Sequence, residues 1–372
     1  MTKYRFDEIA INSTQKKKPT EEDKVCYIGL EHIDSGCFDV VRWGSDVAPT
    51  GDKLLMQKGD VLFGKRRAYQ RKVAIAPFDG IFSAHGMVLR PNLKVIDANY
   101  FPFFISSDKF METAVRISVG GLSPTINWKD LARQEFELPS LDEQKVLADK
   151  LWAAYRLKEA YKKLLVATDE MVKSQFIEMF GGGANRIKLS SLCSTFVDGD
   201  WIESKDQSEL GIRLIQTGNV GNGFFKDKKD KSRYISEETF DNLHCTEIYP
   251  GDILVSRLPD PIGRACIIPQ GLGRTITAVD CTIIRLKDII LPDYFIAYTM
   301  TPSYAAQINE VTTGTTRRRI SRANLGNILI PCSSIAKQQQ FVAIAKQADK
   351  SKFELKQCIE NIDKVIKSLI NG

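Results

Sequence analysis

A chain of 372 residues with 43% hydrophobic and 26% charged positions holds enough apolar material for two or three ordinary cores, which excludes a disordered or fibrous protein. Its 52 basic and 46 acidic residues leave a formal charge of only +6, so any surface for a polyanion has to arise from local clustering rather than bulk charge. No stretch approaches the ~20 apolar residues of a membrane span, and the opening MTKYRFDEIAINSTQKKKP lacks the apolar core of a secretory signal, so the expected location is cytoplasmic.

In chain order, the first segment with a readable pattern is YIGLEHIDSGCF, ending at Phe38, followed by short β-type runs between turn residues. Lys53 to Phe63, Val73 to Ala76 and Gly86 to Leu89 are predicted strands. The polar loop GKRRAYQR joins the first two of them. A polar loop on a rigid sheet is where binding residues tend to sit, and Arg and Gln carry the fork geometry that pairs with guanine and adenine edges. Lys65, Arg66, Arg67, Tyr69, Gln70, Arg71 and Lys72 are therefore candidate DNA contacts. A second loop, VGGLSPTINWKD from Val119, adds Gly120, Gly121, Ser123 and Thr125, small residues that let a backbone approach phosphates. A long helix is predicted next, from about Leu141 to Phe180, with a seam at Leu147, Leu151, Ala154, then after one irregular step Leu157, Tyr161, Leu164, Thr168 and Met171. Gly181-Gly182-Gly183 ends it.

The same order of signals then returns. LIQTGNVGNGFF, ending at Phe225, matches the earlier glycine-punctuated segment, and GDILVSRLPDPIGRACIIP from Gly251 matches GDVLFGKRRAYQRKVAIAP from Gly59, 192 positions earlier. Ile253 to Ser256, Ala265 to Ile268 and Cys281 to Leu286 are the predicted counterpart strands. The corresponding candidate contacts are Arg257, Asp260 and Arg264 in the hairpin loop, and Thr315, Thr316, Arg317, Arg318 and Arg319 in TTGTTRRRISRANL, with Thr217 and Asn219 as a secondary pair. A second long helix follows, with a seam at Phe341, Ile344, Ala348, Ser351, Leu355, Cys358, Ile362, Val365 and Leu369, spaced alternately by three and four. Such seams need burial, and two like units related by an approximate two-fold axis would pair them antiparallel with one domain at each end, the ~40 residues giving a spacer of up to ~60 Å. Pairing with another copy of the chain fits the same periodicity.

No enzyme core is visible. The sequence holds no proline-proline-aromatic amine-methylation motif, no glycine-rich turn suited to S-adenosylmethionine and no GxxxxGK[ST] phosphate loop. Glu203-Ser204-Lys205 imitates the ExK of metal-dependent nucleases, with only Asp198 and Asp200 nearby, and Glu354-Leu355-Lys356 repeats it on the second helix. His32, His85 and His244 show no metal-ligand spacing and read as structural, and the eight cysteines lack a Cys-x-x-Cys pair. No catalytic residue, metal or cofactor is expected.

The tandem order, the GD-[IV]-L loops, the glycine-threonine-arginine segment before an LP or IP step, the glutamine-led helices (DEQKVLA, KQQQFVA) and the helix end KSQFIEMFGG together resemble the DNA-specificity subunit of type I restriction-modification systems, over essentially the whole chain. The resemblance implies an α+β fold in which two similar mixed α/β target-recognition domains, 1-139 and 184-332, are separated by an antiparallel coiled-coil pair drawn from 140-183 and 333-372. It implies a non-catalytic subunit that reads a bipartite double-stranded DNA site, one half per domain. Two methyltransferase subunits and further restriction subunits are the implied partners, and adenine methylation and ATP-dependent cleavage belong to them. The readings kept beside it are a coiled-coil scaffold whose basic loops bind nothing in particular, and the recognition part of a split single-chain restriction enzyme.

Overall fold

A computed structural model describes residues 1–182, 185–314 and 318–371. The chain forms two compact lobes, Met1–Lys162 with Lys356–Gly372, and Lys163–Leu355. In the first lobe, an antiparallel four-stranded sheet has the order Ala10–Ser13, Met87–Pro91, Val61–Phe63, Val73–Ile75. A second sheet orders Lys16–Lys17, Lys53–Met56, Gly80–Phe82 and Tyr27–Ile28, the last two strands parallel. The second lobe repeats the first of these sheets as Cys193–Asp198, Cys281–Leu286, Ile253–Ser256, Ala265–Ile267. Its smaller sheet keeps the parallel pair, Ile212–Ile215 with Thr275–Thr277, and adds Arg233–Ile235 on the other side.

The single strand expected over Lys53 to Phe63 is two strands in different sheets, Lys53–Met56 and Val61–Phe63. The break is made by the GD motif. Gly59 and Gly251 sit at φ of 91° and 93°, a left-handed turn that glycine enters without a Cβ clash. The following Asp60 and Asp252 each accept the N–H three residues back, from Gln57 and Tyr249, at 2.8 Å. Each carboxylate is buried and answered by one arginine on the neighbouring strand, Arg90 at 2.7 Å and Arg285 at 2.9 Å. A buried carboxylate stripped of that partner would be strongly unfavourable, so the motif that marks the repeat is a folding device.

The predicted long helices are α1 (Leu141–Phe180) and α2 (Ile335–Asn371). Ser140 and Glu143 start α1 with a capping box, the Ser140 N–H donating to Glu143 Oε2 at 2.8 Å and the Glu143 N–H to Ser140 Oγ at 3.4 Å. Within the second lobe the helices run antiparallel: Lys352 meets Asp169 at 2.9 Å, while the earlier Phe341 meets the later Phe176, ring centroids 5.2 Å apart. Phe176, Phe180 and Phe341 join Tyr294 in that lobe's core, and Leu151 and Tyr155 join Phe103 and Phe136 in the first. Each fully buried ring or Leu contributes about 2–3 kcal/mol, so neither domain core is complete without helix residues.

The seam differs from the expected one. Leu147, Leu151, Phe341 and Leu369 pack into the cores, and Ala154, Tyr161, Ile344, Leu355 and Ile362 are half-buried. Leu164 and Val365 are instead 49% and 52% exposed, and Leu157 and Met171 also face outward. Tyr155, Lys158, Val172, Phe176 and Ile366 take the inward positions. The reason is Lys158, buried and paired with Asp363 at 2.9 Å: a seam position held by a lysine is invisible to a search for apolar residues.

Candidate nucleic-acid interface

In the first lobe, strands Val61–Phe63 and Val73–Ile75 form a hairpin whose loop curls back over the ends of the parallel pair. Arg67 and Arg71 adopt left-handed φ of 57° and 51° on either side of the short turn Ala68–Gln70. The second candidate loop is locked to this one. Ile126 N–H donates to Lys65 O at 3.1 Å, Arg67 N–H to Pro124 O at 2.7 Å, and Val119 and Thr125 exchange two backbone bonds across the loop's neck. Arg66 and Arg67 both donate to Ser123 Oγ, at 3.3 and 3.0 Å, and Arg66 lies 3.4 Å from His85 Nε2.

Arg66, Arg67 and His85 line an open cleft of about 300 Å³ with Tyr27, Leu30, Glu31, Gln70 and Ser83, and Ser123 is held at its edge by the two arginines. The cleft opens just past the carboxyl ends of the parallel strands Tyr27–Ile28 and Gly80–Phe82. Desolvation, then the positive charges of Arg66, Lys65 and Lys53, lower the His85 pKa, and desolvation with Lys16 beside it lowers that of Lys65. Burial is the main cause of both shifts, and the neighbouring cations add to it, so a phosphate arriving there would favour the charged forms. Arg66, Arg67, Gln70 and Ser123 are thus brought together, with Tyr69 exposed beside them and Thr125 bridged to Arg66. Gly120 and Gly121 form the tip of the second loop. Arg71 and Lys72 are not available in the same way. Arg71 pairs with Asp108 at 2.6 Å and donates to Ser106 O, and Lys72 donates to Leu30 O at 2.5 Å.

The second lobe commits its corresponding cations more deeply. Arg264 is buried and donates to four main-chain carbonyls, those of Thr217, Val220, Leu258 and Pro261, at 2.8–2.9 Å. Arg257 is buried, donates to Val279 O at 2.6 Å, and faces Asp198 at 3.4 Å. Asn219 is buried, accepting the Gln216 N–H at 3.0 Å and donating to Lys226 O. Arg257, Arg264 and Asn219, expected as DNA contacts, hold the loops in place, and the carbonyl of Thr217 is held by Arg264. Long polar side chains in a glycine-rich loop read as surface contacts in sequence, yet the turn leaves carbonyls pointing inward that only such donors can satisfy. Asp260, Arg318 and Arg319 are exposed, Arg319 lying 3.9 Å from Asp280. Thr315, Thr316 and Arg317 lie outside the described residues.

A cleft of about 540 Å³ in this lobe also borders the carboxyl ends of the parallel strands, Ile212–Ile215 and Thr275–Thr277, but among the described residues draws none from the hairpin loop. Trp201, Glu203, Lys205, Gln207, Gln216 and Arg233 line it. Trp201 is 70% exposed, an unusual position for so large an apolar face, and donates to Glu203 at 3.3 Å, while Lys205 pairs with Glu203 at 2.9 Å. The Glu203-Lys205 pair therefore neutralises itself, and among the described residues no group of three metal-ligating side chains is assembled. Trp201, Gln207 and Arg233 lie in no repeated motif, and Tyr27, Glu31 and Gln216, though inside the matched glycine-punctuated segments, are not marked there as contacts. A signal for the position exists all the same, because the matched segments from Tyr27 and Leu214 are the parallel strands whose ends carry both clefts.

A family model described as the type I restriction modification DNA specificity domain matches residues 4–165 and again 185–364. The chain belongs to this family. Two Escherichia coli proteins are similar to it. The type I restriction enzyme EcoKI specificity subunit of strain K12 is 20% identical over an alignment covering 94% of this chain and 82% of that one. The EcoDI specificity subunit is 28% identical over 142 residues, 38% of this chain and 31% of the relative, so that match spans under a third of the EcoDI subunit. Among solved structures, a chain from one described as "Structural basis underlying complex assembly and conformational transition of the type I R-M system" superposes with a TM-score of 0.64 at 17% identity, covering 99% of this chain and 96% of that one. The type I restriction-modification S subunit from M. genitalium gives 0.54 at 15% identity, covering 99% and 94%. The fold is thus shared at sequence identities too low to carry residue roles across. Two DNA specificity domains, each α/β and each bound to long helices, make up the chain, and no described helix is long and apolar enough to cross a membrane.

Proposed function

We propose that this chain is the non-catalytic recognition subunit of a type I restriction-modification enzyme and that its two domains each read one half of a bipartite duplex site. The observation that carries the reading is that each domain opens a cleft at the carboxyl ends of the matched parallel strands, and that the two clefts are lined by different residues. Arg66, Arg67, Gln70 and His85 supply one, and Trp201, Lys205, Gln216 and Arg233 the other. A shared scaffold with unlike reading residues is what two different half-sites require. Phosphates would be held by Lys65 and by Arg318 and Arg319, with base edges reached by the arginine and glutamine forks. Helices α1 and α2 would fix the interval between half-sites and dock two methyltransferase subunits, with restriction subunits outside them. In this reading the domain limits are 1–139 and 184–332, the helical regions 140–183 and 333–372, and the complex works in the cytoplasm.

Sequencing methylated adenines in the host genome tests this directly. The expected result is one split motif, two short specified blocks separated by a fixed unspecified interval. Exchanging Arg66 to Gln70 for another sequence should then change one block and leave the other intact. A contiguous motif, or both blocks changing together, overturns independent reading by two domains.

A further inference from the structure

We propose that Leu122 is an apolar wedge that enters the DNA stack or groove at the half-site read by the first domain. The wedge presupposes DNA recognition by the two domains. Leu122 is 97% exposed, the highest value for a large apolar side chain among the described residues. It sits at the tip of a seven-residue loop whose neck is closed by the two Val119–Thr125 backbone bonds and by Arg67 N–H to Pro124 O. Its neighbour Ser123 is gripped by both Arg66 and Arg67, so the base of the loop is rigid while its tip touches nothing. A side chain added at Gly121 would meet no atom within 4 Å, and Gly120 turns at φ of 110°. The two glycines narrow the tip and let the backbone come close to a duplex.

The surroundings identify the occupant. An exposed leucine on a protein-docking surface belongs to a contiguous apolar patch, but this one stands beside Arg66, Arg67 and His85, a rim suited to phosphates. An apolar side chain projected from a cationic base is how proteins unstack a base step and bend a duplex, with the cations holding the flanking backbone. The matching loop in the second domain, closed by Thr313 and Arg319, carries Thr and Arg in its sequence where the first has Leu. The deformation is therefore confined to one half-site, and the first domain reads part of its sequence through the ease of unstacking one step.

The full chain in complex with its methyltransferase subunits is bound to a duplex carrying the methylation motif of the host genome, with 2-aminopurine placed in turn at each step of both half-sites. Wild type is expected to raise fluorescence several-fold at one step of the first domain's half-site, with or without the methyl donor. Leu122→Ala should abolish that signal and weaken binding roughly tenfold, and Leu122→Phe should retain both. Unchanged fluorescence in Leu122→Ala overturns the wedge. So does loss of methyltransferase co-elution in Leu122→Ala with the DNA signal retained, because the residue would then be a subunit contact. Failure of the wild-type complex to bind the mapped duplex would instead sink the recognition reading on which the wedge depends.

Discussion

The two domains agree where the chain must fold and differ where it must read. Gln144 accepts the Asp97 N–H and donates to the carbonyls of Val95 and Pro139; Gln338, on the other helix, does the same to Leu291, Ile289 and Ser333. His32 accepts the Gly29 N–H where Asn219 accepts that of Gln216, a histidine and an asparagine performing one capping task. Lys72 holds the carbonyl of Leu30 where Arg264 holds that of Thr217. The clefts beside these bonds share almost no chemistry. Tyr27, Glu31 and His85 face one, and Leu214, Gln216 and Trp201 the other. Duplicated domains can diverge in specificity while the buried polar bonds that shape the loops stay in place.

The two domains should differ most at the lysine–arginine pair. Arg264→Ala should destabilise the second lobe by about 3–5 kcal/mol, since it strands several inward carbonyls at once, though their costs do not add fully. Lys72→Ala should cost the first lobe about 1 kcal/mol, one carbonyl near solvent. Hydrogen exchange resolved by lobe would measure both. Equal effects would mean that the extra Arg264 bonds contribute nothing.

The helix clamps should behave alike. Gln144→Ala and Gln338→Ala each leave one buried N–H and two carbonyls unmet, and each is expected to cost about 2 kcal/mol. Protection should fall most at the first turn of the affected helix. A large difference between the two would show that the lobes are not anchored to their helices in the same manner.

The repeat, the long helices and the mixed fold are legible in the sequence because they depend on periodicity and on glycine placement, which the chain writes locally. Gly59-Asp60 and Gln144 stand out as markers even without their bonds. What is not legible is which arginines face out. Arg66 and Arg264 belong to matched loops of similar composition, yet one lines a cleft and the other closes a ring of carbonyls. That choice depends on where distant carbonyls end up after folding, 47 residues away in the case of Thr217. Trp201 is hidden for the same kind of reason, since a lone tryptophan reads as core until the sheet edge beside it is known.

The exposed cations of the two domains should reveal their partners through salt dependence. Arg66→Ala with Arg67→Ala should weaken DNA binding about tenfold and lower the log–log salt slope by up to roughly 1.8, about 0.9 for each phosphate no longer neutralised. Arg318→Ala with Arg319→Ala should act similarly through the second domain. If the first pair weakens binding to one motif only and leaves the slope unchanged, those arginines read bases rather than phosphates.

The smallest expected effect distinguishes the domains by pH. His85 lines the first cleft, and Asp280 holds the matching chain position in the second domain, each carbonyl accepting a backbone bond from the hairpin loop. Desolvation and its cationic neighbours lower the His85 pKa in the free protein, so the ring is neutral at pH 7. An approaching phosphate adds negative charge and raises that pKa. Binding then takes up a proton, and affinity is greatest below the free-protein pKa and declines as pH rises through the higher pKa of the complex. Between pH 5.5 and 7.5 the dissociation constant should rise by roughly two- to threefold, and His85→Ala should flatten the profile without changing the second half-site. A wild-type profile already flat over that range would place no phosphate beside His85 and move the first domain's backbone contacts to Lys65 and Arg66.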